Sequence, residues 1–171
     1  MDYNEYLNAV NNLGYSPEGV ACQIFPTVDA GASPLFRLYS GGGSDHFYTA
    51  SASEAANAAT NLGYTMEGIV GYIFADDSCG GIPFYRLYQA STIDHFYTTS
   101  AQERDNAAQH LGYGEEGIAG YVIPAWGNYE GHFRRTFSIL ISNLLIRNDP
   151  WNFVQELLIC LLPNLPIILV K

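Results

Sequence analysis

A 49-residue period, free of insertions, constrains this chain more than any other feature. Leu-Gly-Tyr starts at Leu13, Leu62 and Leu111, and Glu-Gly starts at Glu18, Glu67 and Glu116. Arg-Leu-Tyr starts at Arg37 and Arg86, and Asp-His-Phe-Tyr-Thr starts at Asp45 and Asp94. Placing residues 34–74 on 83–123 gives 23 identities in 41 positions. Copies that similar descend from one unit and share one local structure, so the fold has to be assembled by stacking that unit.

Each unit reads as β-β-α-β. Residues 34–39 (83–88) form a first strand and residues 45–49 (94–98) a short aromatic one. The loop between them is five residues long, which makes the two strands a hairpin. Ser51 with Glu54, and Ser100 with Glu103, have the spacing of a capping box at a helix start, and Asp2 with Glu5 is the counterpart in the first copy. Ala58, Ala59 and Leu62 give an apolar stripe at helical spacing, and Gly14, Gly63 and Gly112 stand where a left-handed helix stop favours glycine. A last strand closes each unit at residues 20–25, 69–74 and 118–123. The fold class expected is α+β, a pseudo-threefold assembly of three such units. The first unit (1–33) lacks its opening hairpin, and the two full ones span 34–82 and 83–124. Either strands from elsewhere complete the first unit, or the chain is an N-terminally incomplete product.

The character of the chain changes after Pro124. Residues 1–124 hold 3 Arg and no Lys against 14 acidic residues, a net of −11 within a whole-chain charge of −10. Residues 125–171 hold 4 basic and 3 acidic residues and both Trp, and read as an atypical apolar tail. Phe133, Arg135 and Phe137 loosely echo Phe84, Arg86 and Tyr88, and residues 139–146 and 154–162 are apolar with a helical reading. Residues 153–170 include Gln155, Glu156, Pro163, Asn164 and Pro166, a poor match to a membrane-spanning helix of about 20 apolar residues. An acidic chain without a basic surface is a poor partner for nucleic acid or an anionic membrane. No signal peptide is visible in Met1–Glu5, which lacks a basic and an apolar region.

Several side chains could carry chemistry. Asp45-His46 and Asp94-His95 look like acid–base pairs. Neighbours on a strand point to opposite faces, however, so neither couple forms a dyad with itself. Asp at the hairpin loop is expected to serve backbone groups, and His to pack on an aromatic ring. Three Cys with no metal spacing argue against a zinc site, leave a Cys22–Cys79 disulfide undetermined, and point to no cofactor. Arg37 and Arg86 need carboxylate partners, for which Asp45, Glu18 and Glu67 are candidates. Phe47 and Phe96 are the expected core rings. Tyr39, Tyr48, Tyr88 and Tyr97 are then expected to be half exposed, because a buried phenol demands a hydrogen-bond partner. With Arg37, Arg86, Asp45, Asp94, His46 and His95 they make a candidate carbohydrate platform, in which rings stack on C–H groups and polar groups hold hydroxyls. A constellation present twice suits multivalent binding better than catalysis. A purely structural or protein-interaction role for the same residues is the alternative.

Pro34-Leu-Phe-Arg-Leu-Tyr39, Asp45-His-Phe-Tyr-Thr49, the Ser51/Glu54 helix, Leu62-Gly-Tyr64 and Glu67-Gly-Ile-Val-Gly-Tyr72 resemble a repeat domain of unknown function. That domain is of the type found in secreted fungal proteins and in bacterial surface or cell-wall-acting proteins. The resemblance covers about residues 1–124. It implies an extracellular, non-catalytic module that binds cell-wall glycan, and it supplies no functional residues.

Overall fold

The computed structural model describes residues 3–14, 16–28, 31–77, 80–125 and 165–170. The order is α1 (Tyr3–Asn12), β1 (Pro17–Ile24), β2 (Ala32–Ser40), β3 (Asp45–Thr49), α2 (Ala52–Asn61) and β4 (Thr65–Phe74). It continues with β5 (Ile82–Gln89), β6 (Asp94–Thr98), α3 (Ala101–His110), β7 (Gly114–Pro124) and β8 (Leu165–Val170). The mixed α+β class read from the sequence is therefore correct. The strands form one curled antiparallel sheet in the order β3-β2-β4-β7-β1-β8, with β5 joined to β6 and β7.

Local chemistry explains the elements. Ser51 Oγ accepts the Glu54 N–H at 3.2 Å, and Ser100 Oγ accepts the Glu103 N–H at 3.2 Å, which start α2 and α3. The return half of the capping box differs from expectation. Thr49 Oγ1 takes the Ser51 N–H at 3.0 Å and donates its own proton to Glu54. Glu54 therefore keeps an oxygen for another partner. The helices end at Leu62 and Leu111 with Gly63 at φ +78° and Gly112 at φ +80°, as the glycine spacing implied. The hairpin loops are one residue shorter than the sequence reading, and they close through Ser44 and Ile93, both at positive φ. A Cβ on Gly43 would lie 2.7 Å from Ile93 Cβ, so only glycine lets the two loops pack.

The two full units use one register. Phe36 and Arg37 face Thr49 and Tyr48 across the first hairpin, and Tyr85 and Arg86 face Thr98 and Tyr97 across the second. Pro34 pairs with Tyr72 and Leu35 with Gly71; Pro83 pairs with Tyr121 and Phe84 with Gly120. Beside β1 the same place is taken by β8, where Pro166 pairs with Gln23 and Ile167 with Cys22. The expected tail thus supplies one strand, aligned proline for proline with the other two. Residues 133–137, 139–146 and 154–162, Cys79 and Asp2 lie outside the described residues.

The closing strands of the units meet one another. Phe25 pairs with Tyr72, Phe74 with Tyr121, and Ile123 with Gln23. At these seams glycine admits a neighbour's side chain. A Cβ on Gly71 would lie 2.8 Å from Phe25 O and run into Ile24; one on Gly120 would meet Ile73. In the third seam Cys22 stands for the glycine, and the equivalent of Ile24 and Ile73 is the smaller Val122. Cys22, Ile24, Ile73 and Val122 share the central cluster with Leu35, Phe84, Tyr48 and Tyr97. Volume is thereby conserved, as close packing demands. Satellite clusters sit within a unit (Leu38, Phe47, Ala55, Ala58, Tyr64) and at the strand ends (Phe25, Phe74, Ile123).

Candidate functional site

The repeated polar residues converge where one unit meets the next. A β-bulge between Arg37 and Leu38 brings Gly68 opposite Arg37, and Glu67 Oε2 lies 2.6 Å from Arg37 Nε. Glu5 of α1 accepts a hydrogen bond from Arg37 Nη1 at 2.8 Å. The next junction repeats the pattern more tightly. Arg86 donates to both oxygens of Glu54, at 2.8 and 2.9 Å, and its Nε lies 2.7 Å from Glu116. It also sits over the Phe47 ring, 5.0 Å from its centroid. Hydrogen bonding from Arg86 holds Glu54 below the usual carboxylate range. Burial works against both guanidinium charges, yet the carboxylates around them raise their proton affinity overall.

A second network joins the two hairpins. Asp45, only 4% exposed, accepts hydrogen bonds from Tyr64 Oη at 2.8 Å and from the His95 backbone N–H at 2.9 Å. Its Oδ2 lies 2.6 Å from His95 Nδ1, and His95 Nε2 faces Glu116 at 3.6 Å. Burial alone would raise Asp45, but the hydrogen bonds from His95 and Tyr64 prevail and hold it below its ordinary value. Deeper still, Tyr97 Oη accepts the Tyr48 N–H at 2.8 Å and donates to the Tyr48 carbonyl at 3.1 Å. Burial pushes the Tyr48 phenol up to about 12, and that of Tyr97 well above its ordinary value.

These contacts revise the reading of the candidate residues. Tyr48 and Tyr97 are buried, at 6% and 7%, and are core rings rather than a half-exposed platform, because each phenol finds a partner inside. Phe47 is buried as expected, but Phe96 is only half-buried. Asp45 is no partner of Arg37; it belongs to Tyr64 and His95. Glu67 is such a partner, and the side chain of Glu18 lies outside the described residues. Asp45 and His46 do not pair with each other, as the strand geometry requires. His46 instead lies against Tyr39, with ring centroids 4.9 Å apart, and 3.5 Å from Glu67. Burial lowers its proton affinity. Tyr88 packs on His95 at 4.6 Å, and Asp94 accepts a hydrogen bond from Tyr113. Tyr39 and Tyr88 keep the half-exposed state expected of them.

Glu5, Glu54 and Glu116 were missed as partners of arginine. In the sequence Glu5 and Glu54 read as helix-capping residues. The signal was present: Glu5 and Glu54 each stand 32 residues before their arginine, and Glu116 stands 30 residues after Arg86 as Glu67 does after Arg37.

Two clefts lie beside these networks. One, of about 580 Å³, is bounded by Thr49, Ser51, Glu54, Arg86, Ile118 and Tyr121. The other, of about 500 Å³, is bounded by Thr98, Ser100, Glu103, Phe96, Val20 and Ala21. Thr49, Ser51 and Glu54 of the first stand one 49-residue step before Thr98, Ser100 and Glu103 of the second. Among the described residues no group of His, Cys, Asp and Glu is arranged to hold a metal, and no helix is long and apolar enough to cross a membrane.

A family model for a domain of unknown function, DUF5648, matches residues 1–123. The chain belongs to that family. No curated protein and no solved structure matches it. The match ends one residue short of Pro124, where the composition changes. In this DUF5648 domain the arginine clamps, the Asp45–His95 pair and both clefts are built from matched residues, Pro124 and Ala125 at the rim of the second cleft excepted.

Proposed function

We propose that this DUF5648 chain is a non-catalytic extracellular module that binds carbohydrate or cell-wall polymer through its repeated clefts. The observation that carries the proposal is the recurrence of a cleft with the same Thr, Ser and Glu positions one repeat apart. Hydroxyls, a carboxylate and an aromatic edge on a concave surface suit a polyhydroxylated ligand, and linked equivalent sites raise avidity along a polymer. In this reading residues 1–124 form the binding domain, a pseudo-threefold assembly of three units, and 125–171 are a tail that lends it a strand. The contacts shift from the hairpin residues to the clefts, because Arg37, Asp45, His95, Tyr48 and Tyr97 are engaged inside the protein.

Absence of catalysis is part of the proposal. Both ring nitrogens of His95 face carboxylates, Asp45 and Glu116, in a site where the imidazole is 7% exposed. That arrangement favours a structural pair over a general base open to substrate. No metal or cofactor is invoked.

The test is retention of the full-length protein on insoluble chitin, β-glucan and peptidoglycan, with elution by the matching soluble oligomer. Ile118→Trp and Val20→Trp place a large ring over each cleft at positions 47% and 40% exposed, so the fold should tolerate them. Each is expected to weaken retention, and the pair to abolish it. Folded protein retained by none of the polymers would leave the second reading, a structural or protein-interaction domain. What favours that reading is the internal engagement of the repeated polar side chains.

A further inference from the structure

The three closing strands β1, β4 and β7 each carry an antiparallel neighbour in the same register, but the neighbours are not chemically equal. Beside β4 and β7 the strand reads Pro-x-x-Arg-Leu-Tyr, and its arginine reaches a glutamate in the first turn of the preceding helix: Arg37 to Glu5, Arg86 to Glu54. Beside β1 the strand is β8, Leu-Pro-Ile-Ile-Leu-Val, which holds the proline register without any cation. The glutamate that would receive the third arginine is Glu103, by its position 49 residues after Glu54. Glu103 is exposed, accepts a hydrogen bond from Thr98 at 2.6 Å, and borders the 500 Å³ cleft that opens beside β1. Among the described residues it has no arginine.

We propose that the β1 edge is a strand-acceptor site. Its occupant is an extended segment of the pattern Pro-x-x-Arg-Leu-Tyr from another polypeptide, which displaces β8 and places its arginine on Glu103. The chain itself shows what such a site takes, twice, with backbone pairing for affinity and one charged side chain for selection. The β8 strand pairs with β1 and has no cation in its sequence, so it holds the site without that ion pair. This interaction rests on the strand register and not on the polymer-binding reading, and because it uses Glu103 of the same 500 Å³ cleft, peptide and polymer should compete there.

A fluorescent peptide with the sequence of residues 33–40 is titrated into the full-length protein and followed by anisotropy. Saturable binding is expected, weakened about tenfold in a peptide with Arg37→Leu, as one charge-assisted hydrogen bond implies. In the Glu103→Gln protein both peptides should bind alike. Ile168→Pro, which puts a residue without an N–H opposite Val20 in β8, should tighten binding of the arginine peptide. The proposal is overturned if neither the wild-type nor the Ile168→Pro protein binds the peptide while circular dichroism shows both folded. It is equally overturned if the arginine and leucine peptides bind with one affinity, or if Glu103→Gln leaves their difference intact.

Discussion

The pentapeptide Asp-His-Phe-Tyr-Thr occurs in β3 and in β6, with the same hairpin register, and the two copies lead different lives. In β3, Asp45 is 4% exposed and receives His95 and Tyr64, while His46 stays 29% exposed beside Glu67. In β6 the roles invert: His95 is 7% exposed and Asp94 is half-buried against Tyr113. Local sequence is identical, so the difference comes from the neighbour each copy meets. β3 meets β6 on one side, and each copy offers the other a different face. A repeated motif therefore specifies a local shape, and its place in the assembly specifies its chemistry.

That contrast can be broken most forcefully at the arginines. Arg86→Met leaves Glu54 and Glu116 without their shared cation and removes the charge over Phe47. It should cost about 3 kcal/mol, a figure reduced because both carboxylates remain partly solvated. Arg37 also has two carboxylate partners, Glu5 and Glu67, but makes one hydrogen bond to its helix glutamate where Arg86 makes two, so Arg37→Met should cost about half that, and urea unfolding of the two variants measures the gap. Equal losses would mean that the junctions are equivalent after all.

The pentapeptides give a second, smaller asymmetry. Asp45→Asn should destabilise by about 2 kcal/mol, because a buried acceptor of three hydrogen bonds loses its charge. Asp94→Asn should cost less than about 1 kcal/mol. Tyr97→Phe orphans the Tyr48 N–H, for about 1–2 kcal/mol, whereas Tyr48→Phe gives up only its contact with Arg37 and should cost less. Thermal unfolding of the four variants ranks them, and an order other than this one would sink the account of which hairpin is interior.

Acid sharpens the comparison further. Asp45 and Glu54 have native proton affinities below their unfolded values of about 3.9 and 4.3. Their stabilisation is complete above those values and is lost as the pH falls through the depressed native ones. His46, also depressed, adds a slighter loss that begins as the pH falls through about 6.5, because the fold prefers its neutral form. In Asp45→Asn the steep acid limb should flatten.

Much of the architecture was readable before any coordinates. The period of 49, the Ser-to-Glu spacing and the helix-stop glycines led directly to hairpin, helix and closing strand, since each is a short-range rule acting within one unit. The site was less legible. Tyr48 and Tyr97 read as half exposed in the sequence, because alternation says which side chains share a face and not which face a neighbouring unit will cover. The pairing of Asp45 with His95 spans 50 residues, and that of Arg86 with Glu54 spans 32; no local rule reaches that far.

By itself, then, the amino-acid sequence determined the unit: its strands, its capped helix and its glycine stops, all settled by interactions between residues a few positions apart. Only the tertiary structure decided how units abut, which of two identical Asp-His pairs is buried, and that a strand from the far C-terminal end lies beside β1. Those outcomes depend on surfaces that exist only once separate units have been brought together, and desolvation at such a surface changes the chemistry of every charge placed there.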